Sequence, residues 1–103
     1  MTGESFRVYA RPNGTAAARL GIVVSKRVIA QAVARNYGKR LAREVFRTEL
    51  DALAGVDLVV RPRAVVTPAN AAAAREELRE LFRRAQRECR GRNEAMLSRQ
   101  EHT

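Results

Sequence analysis

Phe6 to Ala10 (FRVYA) places Phe6, Val8 and Ala10 alternately with Arg7 and Tyr9, the period-two pattern of a strand with one buried face. Arg11-Pro12-Asn13-Gly14-Thr15 follows with turn chemistry. Arg19 to Ser25 (RLGIVVS) alternates again, with Leu20, Ile22 and Val24 on one side and Arg19, Gly21, Val23 and Ser25 on the other. It predicts a second strand pairing back on the first as a hairpin. Ala16 to Ala18 fit either a strand extension or the loop.

The period then changes. From about Ile29 to Leu50 the apolar positions Val33, Ala34, Leu41, Ala42, Val45 and Phe46 recur at three- and four-residue steps, predicting an amphipathic helix that ends before Ala54-Gly55. Asp57 to Val60 (DLVV) predicts a short strand, apolar on both faces and so placed in the interior of the sheet. Thr67-Pro68 reads as the cap and first turn of a last helix, whose stripe is Ala71, Ala74, Leu78, Leu81, Phe82 and Ala85. Residues 91–103 show no sustained period and are expected to be a frayed C-terminal tail. The order is strand, strand, helix, strand, helix, a single α/β domain over residues 1–90.

Composition narrows the partner. Twenty Lys and Arg against 11 Asp and Glu give the 103-residue chain a formal charge of +9, which points to polyanions and first to nucleic acid. Aromatic residues are only 5% and Trp is absent, so the core must be aliphatic and alanine-rich. A single cysteine, Cys89, excludes an internal disulfide and fits the reducing cytoplasm; with one histidine, His102, it leaves no structural zinc set. No apolar run approaches a membrane span and no secretory signal pattern opens the chain.

Eight basic residues lie between Arg19 and Arg47 (Arg19, Lys26, Arg27, Arg35, Lys39, Arg40, Arg43 and Arg47) with one acid, Glu44. Arg35, Lys39, Arg43 and Arg47 stand at successive four-residue steps, where like charges weaken a helix by a few tenths of a kcal/mol per pair. An uncompensated block of this kind fits phosphate contact better than a merely solvated face. In the last helix Glu76, Glu77, Glu80 and Glu88 alternate with Arg75, Arg79, Arg83, Arg84 and Arg87, a pattern that can neutralise itself. Catalytic chemistry is thin: His102 is near the terminus, Cys89 has no second thiol or placed histidine, and Asp51 and Asp57 fit solvated carboxylates as well as a metal site. No catalytic residue, protein-bound cofactor or metal ligand is assigned.

The stretch Arg19-Leu20-Gly21-Ile22-Val23-Val24-Ser25-Lys26-Arg27-Val28, followed by Ala32-Val33-Ala34-Arg35-Asn36 and Lys39-Arg40-Leu41-Ala42-Arg43-Glu44-Val45-Phe46-Arg47, resembles the signature of the protein subunit of bacterial ribonuclease P. Asp57 to Arg63 resembles its following strand, and the likeness covers about Phe6 to Ala85. The resemblance implies a two-layer α/β sandwich like the second domain of ribosomal protein S5, with a left-handed βαβ crossover against the usual handedness. It also implies a monomeric accessory protein that binds the catalytic RNA and the 5′ leader of precursor tRNA. The RNA itself carries out the Mg2+-dependent hydrolysis.

Carried over residue by residue, Ser25, Lys26, Arg27, Arg35, Asn36, Lys39, Arg40, Arg43 and Arg47 become the RNA-binding set, and Tyr37 is counted with them. Tyr9 is the leader-binding candidate, because the alternation puts Phe6 in the core. Two departures stand out. Where the family's helix usually reads Arg-Asn-Arg and then an aliphatic residue, this chain has Arg35-Asn36-Tyr37-Gly38, so Tyr37 either stacks on RNA or packs on a neighbour, and Gly38 weakens the helix by about 1 kcal/mol. The family's N-terminal helix, which walls the leader groove, has no counterpart before the first strand. The competing functions are a general RNA-binding or ribosome-associated module and an autonomous nuclease; stimulation of the catalytic RNA separates them.

Overall fold

The computed structural model describes the backbone of residues 1–101 and the side chains of residues 1–91. Its elements are β1 (Phe6–Pro12), β2 (Arg19–Ile22), α1 (Ala32–Thr48), β3 (Val56–Pro62) and α2 (Ala71–Glu101). The sheet order is β1-β3-β2, with β1 antiparallel and β2 parallel to β3. The expected hairpin is therefore absent: β3 lies between the first two strands. Alternation specifies which side of a strand is buried but leaves its neighbour open. The interior position expected for β3 is the one it takes.

The connection out of β1 is built for a longer crossing than a hairpin turn. Asn13 donates from Nδ2 to the Ala17 carbonyl at 2.7 Å and accepts from the Thr15 N–H at 2.9 Å, so Ala16 and Ala17 belong to the loop. β2 stops at Ile22, short of the expected Ser25, although the Val23 N–H still donates to the Val60 carbonyl, and the chain then turns with the N–H groups of Val28 and Ile29 both donating to the Ser25 carbonyl. Ile29 is buried as an anchor ahead of α1, which starts at Ala32 rather than Ile29. β2–α1–β3 is a crossover between neighbouring parallel strands.

One face of the sheet makes the core. Phe6 and Val8 of β1 and Val56, Leu58 and Val60 of β3 are buried beneath Leu41, Ala42 and Val45 of α1 and Leu78, Leu81, Phe82 and Ala85 of α2. Phe46 meets Phe82 edge-on at 6.4 Å between centroids, which ties the two helices together. Val33 is expected on the apolar stripe of α1 but is 81% exposed, because at 3.6 residues per turn it falls on the outward side with Asn36 and Arg40, away from Leu41, Ala42 and Val45. The last helix buries its whole expected stripe and Cys89 as well. It begins after Asn70, not at Thr67-Pro68: the Asn70 carbonyl accepts from the Ala74 N–H at 3.0 Å, while its side-chain oxygen accepts from the Thr67 N–H at 2.8 Å. Its backbone also continues to Glu101, through the expected tail, since Glu, Arg, Ala and Met favour helix and a single Gly91 does not break one. His102 lies outside the described residues.

Both ends of the sheet are secured by polar contacts. Met1 and Val8 exchange two backbone hydrogen bonds, of 3.0 and 2.8 Å, so the first residues cover the outer edge of β1. The Glu77 carboxylate of α2 accepts from the N–H groups of Ser5 and Phe6 at 2.9–3.1 Å, locking that segment to the helix layer. At the opposite end Gly55 takes φ +81°, a left-handed conformation that glycine adopts freely, and a Cβ there would approach the Thr15 carbonyl oxygen to 3.1 Å.

Gly38 differs from Gly55 because it sits buried in regular helix, and a Cβ there would meet Pro62 at 3.8 Å, an ordinary contact. Gly38→Ala is expected to stabilise the protein by about 0.5–1 kcal/mol in urea unfolding, through helix propensity and added burial. A loss of stability would show that the helix and β3 pack too closely there for a methyl group.

Candidate nucleic-acid interface

α1 buries Gly38, Leu41, Ala42 and Val45 on one side. At 3.6 residues per turn, Asn36, Lys39, Arg40, Arg43 and Arg47 fall within an arc of about 100° on the opposite side. Asn36, Arg40, Arg43 and Arg47 are exposed and Lys39 is half-buried. None of the four cations has a carboxylate partner among the described residues, because the helix's one acid, Glu44, is engaged by α2. Glu44 pairs with Arg75 at 3.2 Å, and the neighbouring Glu49 with Arg79 and Arg83 at 3.3 and 3.4 Å, all across the α1–α2 seam. Arg75 and Arg83, expected to pair within α2, thus reach Glu44 and the α1 cap residue Glu49, and Arg79 pairs both ways. Only some α2 charges, such as Arg84 with Glu88 and Arg79 with Glu76, pair along their own helix.

Other members of the expected RNA-binding set have different surroundings. Lys26 and Arg27 are exposed on the turn between β2 and α1. Ser25 organises that turn, its Oγ accepting from the Val28 N–H at 3.2 Å. The half-buried Arg35 donates from one nitrogen to the carbonyls of Ile29 and Ala30, at 2.8 and 2.7 Å, and so ties the turn to the helix. Tyr37 packs against the core and, with Val33, Asn36 and Arg40, lines a shallow hollow of about 210 Å³. The larger groove beside the cationic face was not foreseen: Leu20 and Ile22 of β2 and Phe46 join Lys39, Arg43 and Arg47 around about 380 Å³. It arises because β2 is an edge strand running beside α1, which the sequence pattern did not specify.

Tyr9 lies on the far side of the sheet, away from α1. The outward positions there are Arg7, Tyr9 and Arg11 of β1, Asp57, Val59 and Arg61 of β3, and Arg19 and Gly21 of β2. Tyr9 is 44% exposed and pairs in register with Val59, and Gly21 adds no side chain on the other flank of Val59. An open depression of about 440 Å³ results, lined by Tyr9, Arg19, Gly21, Asp57 and Val59 among others.

Asp57 marks one end of this depression. Arg19 grips it with two hydrogen bonds of 2.8 and 2.7 Å, Asn13 donates to it at 3.0 Å, and Arg11 stands at 3.7 Å. The hydrogen bond from Arg19, followed by that from Asn13, lowers the carboxyl pKa to about 2. Among the described residues no three His, Cys, Asp or Glu side chains gather around it. The pairing depends on the parallel register of Arg19 with Asp57, so no local sequence signal could have revealed it.

A sandwich with one uncompensated cationic helix face and one open sheet face carrying an aromatic residue is a nucleic-acid-binding architecture. Comparison with known proteins gives the family. The ribonuclease P family model matches residues 1–86. Ribonuclease P protein components from Chromobacterium violaceum and Azoarcus are 48% and 44% identical over 85 and 84 residues, each match covering 82% of this chain and 69% and 70% of the relative. Among solved structures, the RNase P protein from Thermotoga maritima, in complex with 1-(4-fluorophenyl)-2-thiourea, superposes with a TM-score of 0.66 at 33% identity, covering 82% of each chain. A Staphylococcus aureus RNase P protein, a mutant described as defective in mRNA degradation activity, gives 0.61 at 25% identity, covering 87% of this chain and 73% of that one. The chain belongs to the ribonuclease P protein family, and so to the ribonucleoprotein that processes tRNA. No helix among the described residues is long and apolar enough to cross a membrane.

Because its pKa is lowered from 3.8 to about 2, Asp57 adds stability that is present above about pH 4 and lost as the pH falls through 2. Asp57→Asn is expected to flatten the dependence of unfolding free energy on pH between about 4 and 2, measured by urea titrations across that range. An unchanged profile would show that Arg19 and Asn13 do not hold the carboxylate in solution.

Proposed function

We propose that this chain is the accessory protein of a ribozyme: α1 and the turn before it bind the catalytic RNA, and the open sheet face around Tyr9 receives the 5′ leader of precursor tRNA. The observation that carries this reading is the charge segregation on α1. With Glu44 and Glu49 turned toward α2, the counter-charge for Lys39, Arg40, Arg43 and Arg47 has to come from outside the chain. RNA phosphates supply it, and each phosphate met releases condensed counterions, a gain that falls with salt.

The protein's own side chains support binding rather than hydrolysis. Asp57 is a weak base, its pKa held at about 2 by hydrogen bonds from Arg19 and Asn13 that also occupy its oxygens. In this reading the hydrolysis, and the magnesium it requires, belong to the RNA. The protein lowers the repulsion between two polyanions, which matters most when magnesium is scarce. In this reading a single copy of the protein works in the cytoplasm within the ribonucleoprotein.

The test is precursor-tRNA cleavage by a bacterial ribonuclease P RNA at low magnesium, with the protein added, omitted, and present without the RNA. Faster cleavage is expected only with both together. Cleavage by protein alone, or RNA binding with no stimulation, would contradict the proposal, and the second result would point to a general RNA-binding module.

A further inference from the structure

The open face of the sheet carries its charge unevenly. At one end Arg11, Arg19 and Asn13 surround Asp57. At the other, Arg7 of β1 stands directly opposite Arg61 of β3, both exposed. Like charges directly opposite on neighbouring strands destabilise a sheet. Arg7 has a local partner, its guanidinium carbon lying 5.2 Å from the centroid of the Tyr9 ring. Arg61 has neither an ion pair nor a side-chain hydrogen bond among the described residues, although it lies on β3, the central strand.

We infer that Arg61, together with Arg7, binds a backbone phosphate of single-stranded RNA lying along the open sheet face, with an adjoining base stacked on the Arg7–Tyr9 platform. The inference rests on the reading that this face takes the leader, and it names the residues that hold the leader's backbone. Arg7 and Tyr9 are two residues apart on one strand, about 6.8 Å, which is comparable to one phosphate-to-phosphate step of an extended strand. A guanidinium and a phenol ring both offer a flat face to a base, and the arginine fork fits a phosphate with two parallel hydrogen bonds. At the Asp57 end both arginines already have a carboxylate partner, whereas Arg7 and Arg61 have none among the described residues, so phosphate binding is concentrated at the Arg7–Arg61 end. The repulsion between the two arginines is relieved when a phosphate lies between them.

The experiment compares the parent protein, Arg61→Gln and Arg61→Lys, each reconstituted with the catalytic RNA. Two precursor tRNAs serve as probes, one with a leader long enough to cross the sheet and one with a leader trimmed to stop short of it. Arg61→Gln is expected to weaken binding of the long-leader substrate roughly three- to tenfold and to flatten its salt dependence by about 0.7. The short-leader substrate should bind unchanged, the melting temperature should not fall, and Arg61→Lys should recover the salt dependence. An equal loss on both substrates, or no loss on either while the parent still favours the long leader, overturns the inference and leaves the leader reading intact. A parent protein that binds both substrates equally overturns both.

Discussion

The arrangement depends on both helices packing against one face of the sheet. Phe6 and Val8 with Leu58 and Val60 form a single apolar surface, and α1 and α2 must share it. Sharing brings them side by side, where Phe46 meets Phe82 and where Glu44 and Glu49 come within reach of Arg75, Arg79 and Arg83. Glu44 of α1 and its cap residue Glu49 are thereby drawn to the seam, and the cations of α1 are left on the outside. The sheet's second face stays uncovered by the helices, and Tyr9, Arg7 and Arg61 are presented there. Both candidate RNA surfaces thus follow from one packing decision, on opposite sides of a protein small enough to contact two strands at once.

Neither surface is optimised for stability. The cationic arc of α1 accepts i,i+4 repulsion, Gly38 interrupts good helix-forming sequence, and Arg7 faces Arg61 across the sheet. Compensation comes from ordered polar contacts elsewhere: Glu77 on the N–H groups of Ser5 and Phe6, Arg35 on the carbonyls of the β2–α1 turn, and Arg19 on Asp57. Arg35 and Arg19 fall within the sequence signature that carries the family resemblance, yet here they hold the scaffold on which the exposed cations stand.

Much of this was legible in the sequence, and what was not has a common cause. The buried stripe of α2, the burial of Phe6, the exposure of Tyr9 and the interior place of β3 follow from periodicity, which reports the faces of an element. Pairing is a different kind of information: Leu20, Ile22 and Val24 alternate equally well beside β1 or beside β3, so the expected hairpin failed. Everything dependent on that pairing was hidden with it, including the Arg19–Asp57 contact, the groove between β2 and α1, and the confrontation of Arg7 with Arg61. The cationic character of α1 was visible from composition, but the destination of its acids was not, because Glu44 and Arg75 are far apart in sequence and meet only in the folded chain. For Tyr37, packing and stacking were both open, and the structure places it against the core beside a shallow hollow.

The central claim, that location rather than total charge makes α1 the RNA surface, is tested by the salt dependence of binding to the catalytic RNA for two variants of equal net charge. One replaces Arg40, Arg43 and Arg47 of α1 with glutamine; the other replaces Arg84, Arg87 and Arg90 of α2. The α1 variant is expected to flatten the slope of log affinity against log salt by about two units, and the α2 variant to leave it within about half a unit of the parent. Equal flattening by both variants would contradict the account, since binding would then follow the charge of the whole protein.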